Sequence, residues 1–328
     1  MNTLVVHPGY LGDTVFLGPA VRAVKARWPA GRVTLVVTPR GAPVARLLPG
    51  CDDVVVYDKR GADAGVGGFW RVARALRARR PDLALVPHYS PRAGLLARVA
   101  GAPRRIGYAA FCNERVPLDR SLTFVDRVLR LAERAGAPGT ADLALDPPSG
   151  LDAYADRVLA TPGAGVVGLV PGAEWATKRW GEEGYATLAA DLARAGRTVV
   201  LLGGPAEREA AARIQALAGV ALRDTTGNAI DEAVAILARC DAVVGGDTGL
   251  VHCARALGRP TLVLFGPTSA ARHRFTVRER ALSVGLACQP CHDHGPERCP
   301  LGHHDCMRRL EPARVSAALF ALLDARTG

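Results

Sequence analysis

The chain has 328 residues, 49% of them hydrophobic, which suits two domains with separate cores and excludes a wholly disordered protein. The formal net charge of +11 indicates an anionic partner, such as a phosphorylated substrate, an anionic membrane surface or nucleic acid. The sequence has no long uncharged apolar run and begins with a strand pattern rather than a signal peptide, so we expect a cytoplasmic protein.

The first half of the sequence alternates short apolar strands with helices. Strands are predicted at 3–6, 33–38, 53–57, 83–87 and 105–108, and helices at 14–28, 44–48, 69–80, 93–99 and 123–135. This alternation predicts a parallel, doubly wound sheet with helices on both faces. Residues 136–150 are rich in proline and glycine and lose this periodicity, so a domain boundary is predicted there.

The same alternation resumes after the boundary. Helices are predicted at 151–160, 182–195, 206–218, 230–240 and 312–325, and strands at 165–170, 198–202, before Gly245 and at 261–265. We therefore predict an α/β chain with an N-terminal domain at 1–150 and a C-terminal domain at 151–328. The second domain carries a cysteine-rich loop at 288–307 and the terminal helix. Two doubly wound domains predict a cleft that binds a ligand.

An anion site is predicted where an apolar strand runs through a glycine-rich turn into a helix. Gly245, Gly246 and Gly249 allow close approach of the backbone to a ligand, and Asp247 or Thr248 suits the helix cap. The unpaired N–H groups and the dipole of the first helical turn attract negative charge. The alternative is that the glycines serve only the geometry of the turn.

Two carboxylates occupy comparable positions after predicted strands. Asp13 lies in a glycine-containing loop before a helix, where it suits either a general base or an N-cap. Glu207 follows a third strand and glycine turn, where it suits a ribose contact or a first-turn glutamate favoured by the helix dipole.

The loop after the first strand of the second half carries adjacent cations. Lys178 and Arg179 at a strand's carboxyl end suit a diphosphate clamp, with lysine as a mobile point charge and arginine as a planar fork. A solvated surface pair is the alternative. The flanking Trp175 and Trp180 favour a site, because the chain has only 4 tryptophans.

A loop near the C-terminus gathers four of the 8 cysteines. Cys288 and Cys291 have C-x2-C spacing, and Cys299 and Cys306 follow, with histidines interspersed. Four thiolates suit a structural zinc ion, but a second C-x2-C pair is missing, so reduced or disulfide-forming thiols are the alternative. Catalytic zinc is not expected, because the sequence indicates no route from this loop to the candidate base or to Lys178.

Together these motifs resemble glycosyltransferase family 9, the ADP-heptose:lipopolysaccharide heptosyltransferases. The resemblance covers almost the whole chain and rests on five blocks, at 7–13, 171–180, 203–207, 247–268 and 288–307. The cysteine loop makes the chain most similar to the branch that adds the second heptose of the inner core. The family's lysine motif usually continues with Trp-Pro, whereas Trp180 is followed here by Gly181.

The resemblance implies an inverting enzyme of GT-B fold, with two Rossmann-like domains facing a central cleft. The first domain is then expected to bind the acceptor and the second the ADP-sugar. Asp13 matches the catalytic base, Lys178 the contact to the donor's phosphate region and Glu207 the ribose contact. The segment that matches the family's diphosphate site comprises Asp247, Thr248, Gly249 and His252. No cofactor is expected to be required, since a lysine and a helix dipole replace a divalent cation.

The positive charge fits an acceptor with phosphate and carboxylate groups, which the lipopolysaccharide inner core provides. Arg92, Arg104 and Arg105 are candidates for binding it, and a solvated surface is the alternative role for such arginines. Membrane contact is expected to be peripheral, at the cytosolic face of the inner membrane.

Other functions stay open on the sequence. A GT-B transferase with another nucleotide sugar or acceptor, or a nucleotide-sugar epimerase, would keep the fold; ADP release that requires an acceptor distinguishes transfer from epimerisation. A nucleic-acid-binding protein with a zinc knuckle is disfavoured, because aromatic residues make up only 5% and no recognised nucleic-acid motif is present. Retention of Asp13 and Lys178 disfavours a catalytically silent scaffold.

Overall fold

The computed structural model describes residues 1–159 and 165–325, and the chain divides into two compact units. The units are Met1–Asp146 and Pro147–Gly328, so the division falls within the proline- and glycine-rich segment. Each unit has a six-stranded sheet with helices on its faces, which confirms the α/β prediction. The last residue of the helix predicted at 151–160 lies outside the described residues.

The first unit is built on a parallel sheet. Its strands are β1 (Thr3–Val6), β2 (Val33–Val37), β3 (Asp53–Val56), β4 (Leu83–Val86), β5 (Arg104–Gly107) and β6 (Glu114–Arg115). Their order is β3-β2-β1-β4-β5-β6, and every neighbouring pair is parallel. Every residue of β1, β2 and β4 is buried, as expected for strands covered on both faces.

The helices of the first unit correct one prediction. They are α1 (Leu11–Phe16), α2 (Gly18–Arg27), α3 (Ala42–Arg46), α4 (Gly65–Arg77), α5 (Pro91–Val99) and α6 (Phe124–Arg134). The prediction of a single helix over 14–28 was wrong: the helix is interrupted at Leu17, and a new helix starts at Gly18 with Pro19 in its first turn, where the missing N–H is tolerated. Asp13 is not the N-cap either, because Tyr10 caps α1 and Asp13 lies inside its first turn.

The second unit repeats this topology. Its strands are β7 (Val166–Val170), β8 (Thr198–Leu201), β9 (Arg223–Asp224), β10 (Ala242–Gly246), β11 (Thr261–Phe265) and β12 (Glu279–Ser283). The order is β12-β11-β10-β7-β8-β9, again with parallel neighbours. The edge strands β6, β9 and β12 were not predicted, because they are short or charged and at least partly exposed.

Helices cover the second sheet as well. They are α7 (Asp152–Leu159), α8 (Glu182–Arg194), α9 (Arg208–Ala218), α10 (Ile230–Leu237), α11 (Gly249–Ala256), α12 (Asp305–Arg308) and α13 (Pro312–Asp324). The terminal α13 belongs to the second unit, where Val315, Leu319 and Leu323 enter the core. Among the described residues, no helix is both long and apolar enough to cross a membrane.

The strand order of each sheet reverses between two central strands. In the first unit this switch point lies between β1 and β4, and in the second between β7 and β10. Loops leaving the carboxyl ends of such strands diverge and open a crevice, which is where doubly wound sheets bind ligands. Asp13 follows β1, Lys178 follows β7 and Asp247 follows β10, so the topology places three predicted site residues at switch points.

Candidate active site

Asp13 lies in the first turn of α1, directly after the loop that leaves β1. Its Oδ2 accepts the backbone N–H of Tyr10 at 3.3 Å, and its side chain is 26% exposed. The preceding loop is fixed by Lys59, whose Nζ donates to the Pro8 carbonyl at 2.8 Å. A carboxylate that is held by the backbone and still accessible has the properties of a general base.

Two histidines with no predicted role lie beside Asp13. His7 follows β1 directly and is 4% exposed, with Nε2 3.5 Å from Asp13 Oδ2. His88 packs against it with ring centroids 5.1 Å apart, and its Nδ1 accepts the N–H of Ser90. Burial, together with the neighbouring His7, lowers the pKa of His88 to about 3. The signal for both was their position just after a buried strand.

In the second unit the switch point brings Lys178 and Asp247 into contact. Lys178 Nζ lies 2.7 Å from Asp247 Oδ2, and the two side chains are 13% and 10% exposed. Thr268 donates its hydroxyl to the same oxygen at 2.9 Å. Burial opposes ionisation of Asp247, but the hydrogen bond from His252 and the charge of Lys178 hold the pKa of this carboxyl well below its usual range. Asp247 is therefore a buried anion that orients the lysine ammonium.

The support for Asp247 extends further into the unit. His252 Nε2 lies 2.9 Å from Asp247 Oδ1, and Arg255 Nη1 lies 3.4 Å from His252 Nδ1. Because a guanidinium only donates, Nδ1 must accept and Nε2 carries the proton given to Asp247. Burial lowers the pKa of His252, which favours this neutral form. Arg255 is itself held by Glu279, with Nε and Oε1 3.1 Å apart and side chains 1% and 5% exposed.

Asp247, His252 and His273 place their possible ligand atoms within 4.8 Å of one another, so this cluster is a candidate metal site. His273 Nε2 lies 3.4 Å from Asp247 Oδ1, and burial lowers the pKa of His273 to about 3. The proton on His252 Nε2 and the ammonium of Lys178 both oppose a cation at this point. We interpret the cluster as a hydrogen-bonded support for Lys178.

The glycine-rich turn after β10 serves packing as well as ligand access. A Cβ at Gly246 would lie 2.6 Å from the carbonyl oxygen of Lys178, so glycine allows the lysine segment to approach. Thr248, not Asp247, is the N-cap of α11, and its side chain makes no cap hydrogen bond. The first turn of α11 begins at Gly249 and retains unpaired N–H groups.

Glu207 lies in the 3₁₀ turn that precedes α9. Its Oε2 accepts the N–H of Gly204 at 2.8 Å, a local contact that holds this turn. Arg179 reaches it only loosely, with Nη2 and Oε1 3.9 Å apart, and donates to the Ala173 carbonyl instead. The carboxylate nevertheless lies against the loop after β7, since a Cβ at Gly172 would meet Glu207 Cγ at 2.4 Å.

Trp180, which flanks the lysine segment in sequence, is a core residue. Its side chain is 4% exposed and packs on Tyr185, with ring centroids 4.9 Å apart. Its Nε1–H donates to the carbonyl of Leu310 at 2.9 Å, which ties the segment after Lys178 to the C-terminal part of the unit.

The cysteine-rich loop packs directly against the lysine segment. The expectation that this loop has no route to Lys178 was therefore wrong. His304 Nε2 lies 2.7 Å from the Thr177 carbonyl oxygen, and Thr177 donates its hydroxyl to the Pro296 carbonyl at 2.5 Å. The cysteines at 288, 291, 299 and 306 are free thiols. Within the described ranges they do not form a group of three ligand atoms inside 4.8 Å. No chemical step is therefore assigned to a metal here.

The three arginines predicted to bind the acceptor lie at opposite ends of the strands in the first sheet. Arg92 is in the first turn of α5, after the carboxyl end of β4, with its guanidinium carbon 5.2 Å from the centroid of the Tyr57 ring. Arg104 and Arg105 are the first two residues of β5 and lie at the amino end of that strand. Arg104 pairs there with Glu114 at 2.5 Å. Of the three, Arg92 lies at the carboxyl ends of the strands, where Asp13 also lies.

Known proteins are similar to this chain in sequence and in fold. Residues 69–301 match the family described as Glycosyltransferase family 9 (heptosyltransferase). Lipopolysaccharide heptosyltransferase 2 of Escherichia coli (strain K12) is 29% identical, over 98% of this chain and 99% of that protein. The structure of E. coli ADP-heptose lps heptosyltransferase II matches at a TM-score of 0.82 and 26% identity, over 100% of both chains. A glycosyl transferase family 9 structure from Veillonella parvula DSM 2008 has a TM-score of 0.87 at 20% identity, over 98% and 97% of the chains. The chain therefore belongs to glycosyltransferase family 9, the heptosyltransferase family.

Proposed function

We propose that this enzyme transfers a heptose from ADP-heptose to the inner core of lipopolysaccharide, with inversion at the anomeric carbon. The observation that carries the proposal is the similarity over nearly the full length of both chains to lipopolysaccharide heptosyltransferase 2. The buried pair of Lys178 and Asp247 at a switch point supports it, because a fixed ammonium suits a diphosphate leaving group.

The second unit binds the donor in this proposal. The Lys178 ammonium and the N–H groups at Gly249 meet the diphosphate, and the Thr248 hydroxyl, which makes no cap hydrogen bond, donates to it. Glu207 accepts hydrogen bonds from the ribose. His252 acts through Asp247, since it fixes the carboxylate that orients the lysine. As the bond to the leaving oxygen breaks, these prearranged donors stabilise the charge that develops on ADP.

The first unit binds the acceptor and supplies the base. Asp13 removes the proton of the acceptor hydroxyl as that oxygen attacks the anomeric carbon, and ADP departs with the electron pair of the broken bond. Attack on the face opposite to ADP inverts the configuration. Arg92 lies at the same carboxyl ends of the strands as Asp13, so its positive charge attracts acidic groups of the acceptor.

The direct test measures transfer with purified enzyme, ADP-heptose and lipopolysaccharide truncated before the second heptose. We expect ADP release that depends on the acceptor, a product heavier by one heptose, and inverted anomeric configuration by NMR. ADP-glucose, UDP-glucose and an acceptor that lacks the first heptose serve as controls. ADP formation without acceptor, or faster transfer from a control sugar, would refute the proposed substrates.

We also propose that the four loop cysteines hold a structural zinc ion. Backbone N–H groups from 301 to 304, led by that of His304, lower the pKa of the Cys299 thiol, which favours the thiolate that zinc requires. Burial raises the pKa of the Cys291 thiol and raises that of Cys306 to about 11, so zinc would have to displace protons from these two thiols. Because His304 contacts the Thr177 carbonyl, the metal would stiffen the segment that carries Lys178. Elemental analysis should give about one zinc per chain, reduced in Cys288→Ser. A metal-free protein with unchanged activity would refute this site.

Peripheral contact with the cytosolic face of the inner membrane is part of the same proposal. Its support is the net charge of +11, which favours binding to anionic lipid. Co-sedimentation with phosphatidylglycerol vesicles, but not with phosphatidylcholine vesicles, is the expected result. Equal recovery with both vesicle types would contradict an electrostatic contact.

A further inference from the structure

His7 is a deeply buried polar residue whose ring nitrogens are not satisfied by hydrogen bonds within the described residues. Its side chain follows β1 and is 4% exposed, and among the described residues neither Nδ1 nor Nε2 has a hydrogen-bond partner. Buried polar atoms in native proteins are nearly always paired, so such a ring indicates an interaction completed in another state of the site.

The geometry around His7 identifies that interaction. Its Nε2 lies 3.5 Å from Asp13 Oδ2, so a movement of about 0.5 Å would bring the two atoms to hydrogen-bond distance. A Cβ at Gly9 would lie 2.5 Å from His7 Nε2 and 3.0 Å from Asp13 Oδ2, so glycine keeps the space between them open. The other sides of the ring are closed by Phe124 and His88, at centroid distances of 5.0 and 5.1 Å.

We propose that His7 is the positioning residue of the catalytic base: its Nε2–H donates to Asp13 Oδ2 and holds the carboxylate that receives the acceptor proton. This inference rests on the proposed function, because it takes Asp13 as the base. The acceptor O–H bond breaks, its proton moves to the Asp13 carboxylate, and its electron pair forms the bond to the anomeric carbon. The bond from that carbon to the diphosphate oxygen breaks, and ADP leaves with that pair. His7 touches neither substrate and acts only through Asp13.

Two substitutions of equal chain length separate positioning from packing. His7→Gln keeps an N–H donor near the place of Nε2, whereas His7→Met keeps the bulk and removes the donor. We expect His7→Met to lower kcat by about 10- to 100-fold with the KM of both substrates within about twofold of wild type. His7→Gln should recover kcat to within about fivefold of wild type. Equal losses in both variants, or wild-type kcat in His7→Met, would overturn the proposal.

A second measurement needs no substrate. Proton NMR of the full-length enzyme should show a downfield, exchange-protected imidazole N–H that disappears in both Asp13→Ala and His7→Gln. If this signal persists in Asp13→Ala, the pairing is refuted. If wild type fails to transfer heptose while the signal behaves as expected, the proposed function fails and the pairing stands. If wild type transfers heptose but lacks both the signal and the kcat difference, the pairing fails alone.

Discussion

Replacement of Lys178 by methionine tests whether its ammonium stabilises the leaving diphosphate. Methionine retains an unbranched apolar chain one atom shorter than that of lysine and carries no charge. The substitution removes a contact of 2.7 Å to Asp247, where the two side chains are 13% and 10% exposed. Because both side chains are largely buried, solvent screens this pair less than a surface ion pair, and the effect of the substitution is larger.

Two losses of different origin are expected from Lys178→Met. Removal of one prearranged donor to a developing negative charge lowers kcat by about 10²- to 10³-fold, or about 2.7–4 kcal/mol. Asp247 keeps its hydrogen bonds to Thr268 and His252 but loses a charge-assisted one. Such a bond contributes about 1.5–3 kcal/mol, so unfolding of the second unit shifts to lower temperature.

The stability loss has a defined pH dependence. The pKa of Asp247 is lower in the folded chain than its ordinary value of 3.8. Stabilisation by such a carboxylate is therefore complete above pH 3.8 and disappears as pH falls through the lower, folded pKa. The difference in stability between wild type and Lys178→Met should be full above about pH 5 and should shrink below about pH 4.

The assay combines initial rates of ADP release with thermal unfolding measured from acid to neutral pH. Lys178→Arg is the matched control, because it keeps the charge and changes the shape of the donor. It should retain more stability than Lys178→Met at pH 7, with only partial activity. A kcat within threefold of wild type for Lys178→Met would refute the role in catalysis. An equal stability loss at both ends of the pH range would refute the ion pair.

Three further substitutions test other parts of the site. Asp13→Asn should lower kcat by about 10²- to 10⁴-fold while the affinity for ADP, measured by calorimetry, stays unchanged; weaker ADP binding would argue against a role confined to the base. Arg255→Met leaves Glu279 as a buried unpaired charge, which costs about 3–5 kcal/mol in unfolding free energy, and adding Glu279→Gln should recover part of it in denaturant titrations. Gly246→Ala would place a Cβ 2.6 Å from the carbonyl oxygen of Lys178, so it should cost about 1–3 kcal/mol and weaken ADP binding; full ADP affinity would contradict the close packing there.

The fold was predictable where continuous apolar runs in the sequence form strands that are buried along their whole length. Strands such as Val33–Val37 and Thr261–Phe265 are buried along their whole length, and strands covered on both faces appear as continuous apolar runs. The strand Arg223–Asp224 has two exposed charged residues, and its pairing with β8 depends on the tertiary structure. The break at Leu17 likewise interrupts a continuous apolar pattern, so periodicity alone does not indicate it.

The sequence indicated candidate site residues in the loops and turns after strands, but it gave no role to His7, which follows β1 directly. Asp13 and Asp247 stand next to glycines after β1 and β10, where the topology places ligands. Thr268 reaches Asp247 from a loop 21 residues further along the chain, and no local signal marks that contact. Arg255 resembles an ordinary last-turn cation of α11, and its partner Glu279 belongs to an edge strand that was not predicted. Partners created by packing therefore escaped the sequence analysis.

The two units share one strand order, yet the side chains to which we assign chemistry at their switch points, Asp13 and Lys178, carry opposite charge. The loop after β1 leads to the Asp13 carboxylate beside a buried histidine, whereas the loop after β7 presents the Lys178 ammonium beside a buried aspartate. Inverting sugar transfer needs both signs, since a proton must leave the acceptor and negative charge must be stabilised on the departing ADP. In each case the sign comes from one side chain, and a buried neighbour, His7 or Asp247, lies next to it. The sheet only fixes the place where they stand, so the chemistry of each unit follows from these pairs rather than from the fold.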